Sequence, residues 1–94
     1  MKPEILAAIE ELGQLQFSTS EVAIIIEQDE KIFEEKPEAF RAYMKGRLIA
    51  QRDVRRALLE LARQGSTPAQ KEFMKLAAES EPEYEQGGDH ADPA

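Results

Sequence analysis

The stretch from Pro37 to Arg63, PEAFRAYMKGRLIAQRDVRRALLELAR, limits what this chain can fold into more than any other. Its apolar residues Phe40, Met44, Leu48, Val54, Leu58 and Leu61 recur at steps that return to one side of a helix at about 3.6 residues per turn. Pro37 suits a first helical position, where its missing N–H costs nothing. Gly65 suits the residue just past the end, which needs a left-handed backbone. At ~1.5 Å per residue this helix is roughly 40 Å long, about the width of a small domain. The other segments are too short to fold alone and are expected to pack against it.

The same helix carries a charge pattern. Arg41, Lys45, Arg52, Arg56 and Arg63 share one narrow stripe, a quarter to half a turn from the apolar residues. Seven of the chain's 12 bases lie between Pro37 and Arg63, against three acids, in a protein of net charge −7. Residues 1–36 hold nine acids and three bases, and residues 81–94 hold five acids and no base. The molecule is polarised, with one basic helix among acidic neighbours. The stripe has two readings, a phosphate-binding face or a solvated face paired with Glu38, Asp53 and Glu60.

Ninety-four residues make one small domain with a tail, and the chain has no cysteine for a disulfide or thiolate metal site. No run reaches the ~18 apolar residues of a membrane span. The N-terminus, MKPEILAAIEELG, places acids where a secretory signal has its apolar centre, so the expected location is the cytoplasm. Helix formers dominate, and the expected class is all-α.

Pro3 to about Leu15 reads as a first helix, with Ile5, Leu6, Ile9, Leu12 and Leu15 along one stripe. Ser18 and Glu21 have capping-box spacing and open a second helix over Val22, Ala23, Ile25 and Ile26. The run VAIII also suits a strand, but it is capped and has no partner strand. A tight turn at Glu27 and Gln28 leads to one or two helical turns over Asp29–Glu35, with Ile32 and Phe33 as a buried pair. After the long helix, Thr67 is the expected cap of a last helix, with Pro68 at its first position and Gln70 at the box site. That helix, with Ala69, Phe73, Leu76 and Ala77 as its inner face, should fold back antiparallel. The composition of EPEYEQGGDHADPA predicts a disordered acidic tail from Glu81. The organisation is a helix-turn-helix-like module at 1–36, a helical hairpin at 37–80 and the tail at 81–94.

Within the module, Ala23 supplies the small residue of a helix-turn-helix, and Val22, Ile26 and Phe33 supply its apolar clamp. Glu27 stands where glycine is common. The would-be reading helix, Asp29 to Lys36, has four acids and two bases, so it repels phosphates. Arg47, Gln51 and Arg55, spaced by four, lie beside the apolar face. Arginine there must snorkel, pair with an acid such as Glu27, Glu30 or Glu34, or sit at a subunit contact; these three are the candidate oligomer interface. Enzyme chemistry has no partner set: the only histidine, His90, lies in the tail, and no phosphate-cradling glycine loop exists. Asp89, His90 and Asp92 read as tail rather than as a metal site, and no cofactor is expected.

Several features recur together: the capped EVA helix, the short second helix, Tyr43 and Gly46 early in the long helix, the ALLELARQGSTPAQ turn over Ala57–Gln70, and Phe73 and Leu76 after it. In this combination, Ser18 to Glu79 resembles the small terminase subunits of tailed bacteriophages and prophages. The resemblance implies a non-catalytic DNA-packaging protein in the bacterial host cytoplasm. Such a protein would bind double-stranded viral DNA through its N-terminal helices. It would form a homo-oligomer through the hairpin and recruit the large subunit that holds the ATPase and nuclease. Because the Asp29–Glu35 helix is acidic, Lys31, Lys36, Arg41 and Lys45, with Arg52 and Arg56 farther along the stripe, would carry the phosphate contacts. The alternative reading is a small acidic helical adaptor that binds a protein partner.

Overall fold

The computed structural model describes residues 1–80. The protein is all-α, with helices α1 (Pro3–Gln14), α2 (Thr19–Ile25), α3 (Ile32–Glu35), α4 (Pro37–Arg63) and α5 (Thr67–Glu79). No strand occurs among the described residues. None of their helices is long and apolar enough to cross a membrane. The chain divides into two compact units, Met1–Val54 and the part from Arg55 onward, so α4 contributes to both. The expected acidic tail lies outside the described residues.

The first unit is built by α1–α3 on the first part of α4. Its core is Ile9, Val22, Ala23, Ile32, Phe33, Ala39 and Tyr43, with Ile5, Leu12, Phe17, Ile26 and Met44 packed around it. Of the apolar residues picked out in α1, in α2 and at Ile32–Phe33, most form or flank the core; Leu15, which caps α1, and Ile25 are exposed, and Leu6 is half-buried outside the cluster. The long helix is different. Its buried residues are Ala39, Tyr43 and Gly46, while Phe40, Leu48, Val54 and Leu61 are all about half exposed. The buried face is rotated by roughly a quarter turn from the one that residue size predicts.

Two glycines cause that rotation. A Cβ on Gly46 would collide with the Glu10 carbonyl oxygen, and one on Gly13 with the Tyr43 carbonyl oxygen. Helices α1 and α4 thus cross with backbone against backbone. The face that wins is the one that permits this approach, not the one with the largest side chains. Tyr43 fills the space beside the crossing. Its ring lies 5.6 Å from that of Phe33, and its hydroxyl donates to the Phe17 carbonyl at 2.8 Å.

The helix ends are equally specific. Ser18 accepts from the Glu21 amide at 3.2 Å and Glu21 accepts from the Ser18 amide at 2.9 Å, completing the expected capping box. Helices α1, α2 and α4 all end in a Schellman turn. The paired bonds are Phe17 to Leu12 with Gln16 to Gly13, Gln28 to Ala23 with Glu27 to Ile24, and Ser66 to Leu61 with Gly65 to Ala62. Each turn needs one left-handed residue, and these are Gln16 (φ 67°), Glu27 (φ 58°) and Gly65 (φ 99°). Helix α3 is a single turn that starts at Ile32, shorter than the expected Asp29 start, because Asp29 caps the Lys31 amide at 2.8 Å.

In the second unit, the end of α4 and α5 form an antiparallel hairpin. Gln70 Nε2 donates to the Ala62 carbonyl at 3.0 Å near the turn, and Arg55 donates to Ser80 Oγ at 3.2 Å at the far end. The cap of α5 is Ser66, which accepts from the Ala69 amide at 3.3 Å, not Thr67 one residue later. Schellman closure at Gly65 leaves Ser66 as the first extended residue, and Gln70 turns to Ala62 instead of completing a box. Ala69 is the one buried residue of α5, Phe73 and Leu76 are half-buried, and Ala77 is exposed.

Gly46→Ala sets two effects against each other. Alanine improves helix propensity by about 1 kcal/mol, but forcing apart two backbones costs about 3 kcal/mol or more. Urea denaturation should show a clear net loss, and a stabilised variant would refute the close crossing. Glu27→Gly should raise stability by roughly 1 kcal/mol, since only the strained backbone is relieved. Gln16→Gly should gain less or nothing, because Gln16 also makes side-chain bonds to Gly13, Arg47 and Gln51.

Candidate nucleic-acid interface

The cations named from sequence fall into two groups. Arg41, Lys45 and Arg52 are exposed on the part of α4 in the first unit, turned away from Ala39, Tyr43 and Gly46. Arg56 and Arg63 are exposed on its continuation. Lys45 Nζ lies 3.6 Å from Glu10 Oε1, and Arg52 Nε lies 3.2 Å from Asp53 Oδ1. Both cations stay more than half exposed, at 65% and 54%, so these pairs hold them weakly. Among the described residues Arg41 and Arg56 have no acid within 4.0 Å. A phosphate can approach all four without breaking a buried contact.

Lys31 and Lys36 stand in different surroundings. Both are exposed, but they flank the acidic turn of α3, with Glu30, Glu34 and Glu35 beside them. Lys31 lines an open hollow of about 370 Å³ with Thr19, Glu30, Phe33, Glu34 and Phe40. Thr19 Oγ1 donates to Glu30 Oε2 at 3.0 Å, which fixes that carboxylate at the rim. A polyanion is repelled here more than attracted.

The three residues expected at a subunit contact are engaged within the chain. Arg47 Nη1 donates to the carbonyls of Gln16 (3.3 Å) and Phe17 (3.4 Å) and to the Tyr43 hydroxyl (3.3 Å). Its guanidinium also sits 5.7 Å from the Tyr43 ring centre. The partners are main-chain carbonyls just past the end of α1, where the helix dipole favours a cation. They are not the acids Glu27, Glu30 or Glu34. Gln51 donates to Gln16 Oε1 at 3.1 Å, while Arg55 serves the hairpin.

Glu38, in the first turn of α4, has its carboxyl held below the usual carboxylate range. The main cause is the hydrogen bond from its own main-chain N–H; desolvation opposes it, and the Met1 ammonium and Lys36 reinforce it. Such a depressed group contributes above its unfolded pKa and loses that contribution as pH falls through the folded value. No cluster of His, Asp or Glu among the described residues is arranged to hold a metal. Asp89, His90 and Asp92 lie outside them.

Sequence reasoning missed the tie from Gln16 through Arg47 and Tyr43, and it missed the hollow beside Phe40. One signal for the crossing was available: a glycine inside a 27-residue helix costs about 1 kcal/mol and so implies a packing reason. Comparison with family models, with curated proteins and with solved structures gave no match.

Arg47→Ala should destabilise by about 2 kcal/mol, the loss of a charged donor to two carbonyls and a hydroxyl. Gln51→Ala, at an exposed amide pair, should change stability by less than about 0.5 kcal/mol. Urea midpoints measure both, and equal effects would show that Arg47 is not the tie.

Proposed function

We propose that this protein is a non-catalytic DNA-packaging subunit of the small-terminase kind. It binds double-stranded viral DNA and recruits a large ATPase–nuclease subunit in the bacterial cytoplasm. The observation that carries the reading is the set Arg41, Lys45 and Arg52, exposed on the first-unit part of a long helix and held by nothing stronger than surface pairs; Arg56 is exposed in the second unit. The resemblance from Tyr43 to Leu76 supports it, and so does the helical hairpin, whose half-buried Leu58, Leu59, Phe73 and Leu76 leave apolar surface for assembly. DNA lies against the α4 cations, with Lys31 and Lys36 as lesser contacts because of the acids around them. Assembly multiplies the weak affinity of a single copy through avidity.

A second reading, the acidic adaptor, is favoured by one observation. The turn of α3 and the start of α4 present carboxylates around half-exposed Phe40. Salt separates the two readings. In the packaging reading, anisotropy with labelled duplex DNA shows affinity falling steeply with salt, and Arg41→Ala and Arg56→Ala each reduce the log–log slope by about 1. Failure to bind duplex at low salt, at concentrations where the protein is assembled, would discard the packaging reading in favour of the adaptor.

A further inference from the structure

The hollow walled by Phe33 and Phe40 combines an apolar floor with a rim on which Glu30 and Glu34 outnumber the one cation, Lys31. Phe40 is 45% exposed, and Glu30 and Glu34 have no cation within 4.0 Å among the described residues. From Glu27 to Glu38 the chain carries six acids and two bases. Its natural occupant is a bulky aliphatic side chain flanked by cations.

Helix α4 presents such a group. Leu48 is 54% exposed, and Lys45 and Arg52 stand three residues before and four residues after it on the neighbouring surface. Arg41 lies one further turn back. Leu48 cannot fill its own hollow, because it is fixed eight residues from Phe40 on one rigid helix, a rise of roughly 12 Å. We infer that the hollow of one copy of this chain receives Leu48 of a second copy, with Lys45 and Arg52 of the incoming helix meeting Glu34 and Glu30.

Other occupants fit less well. Nucleic acid would set phosphates against the carboxylates, and an uncharged peptide would leave both carboxylates without a cation. One apolar anchor with exposed ion pairs makes a weak contact, and salt weakens it further. Lys45 and Arg52 also belong to the proposed DNA face, so the two uses compete. The self-contact itself does not depend on DNA binding and is tested without it.

The experiment is sedimentation of the full chain over a wide concentration range at low and moderate salt. The wild type should gain mass with concentration and lose it with salt. Two double variants, E30K/E34K and K45E/R52E, should each associate at least about tenfold more weakly, since like charges then face each other. Mixed in equal amounts they should associate again, because each restores the charge the other lacks. Leu48→Ala, at an exposed site, should weaken association several-fold while leaving the circular dichroism unchanged. The inference is overturned if the wild type stays monomeric, if the mixture associates no better than its parts, or if Leu48→Ala has no effect. It is also overturned if both double variants assemble as the wild type does, which would place the contact elsewhere, for example on the hairpin.

Discussion

The crossing of α1 and α4 at Gly13 and Gly46 decides the arrangement of the first unit. Because neither helix has a side chain at the contact, their backbones meet directly. That approach turns Tyr43 inward and sets its hydroxyl on the Phe17 carbonyl. It also brings Arg47 over the carbonyls of Gln16 and Phe17. Once α1 is fixed on this face, α2 and α3 can bury Val22, Ala23, Ile32 and Phe33 against it. Phe40, Leu48, Val54 and Leu61 of α4 are left outside. The charged stripe stays outward for the same reason: it lies far from the face that the glycines select.

Much of this was legible in the sequence, and the unequal success has physical causes. Local signals were reliable where one residue pair decides the outcome. The Ser18–Glu21 box and the limits of α4 at Pro37 and Arg63 fall where capping chemistry puts them. Ile9, Val22, Ala23, Ile32 and Phe33 are buried because each lies on the one apolar side of a short helix. The face of α4 was not legible from periodicity, since Phe40, Leu48 and Val54 outweigh Ala39 and Gly46 on any scale of hydrophobicity. What decides the face is contact distance, which is non-local. The cap of α5 was displaced for a related reason: the preceding Schellman turn consumes Gly65 and leaves Ser66 extended.

The candidate site divides along the same line. Exposure of Arg41, Lys45, Arg52 and Arg56 follows from charge and helix geometry alone. The employment of Arg47 does not, because its acceptors are backbone carbonyls 30 and 31 residues away, and no side-chain pattern announces a carbonyl. A cation beside an apolar face suggested an acid such as Glu27, Glu30 or Glu34, whereas within the chain the end of a neighbouring helix supplies the negative charge.

The Phe17 carbonyl accepts from both Tyr43 and Arg47, and so ties the α1–α2 connection to the interior of α4. Every one of these bonds joins residues at least 26 positions apart. The local turn at Gln16 closes α1, but only these long-range bonds hold it on α4. If α4 lifts from the glycine crossing, the Gln16 and Phe17 carbonyls lose the Tyr43 and Arg47 donors and α1 loses its burial in the same event. Fraying is therefore confined to the outer ends, and the amides of α1 and of mid-α4 share one opening equilibrium with solvent.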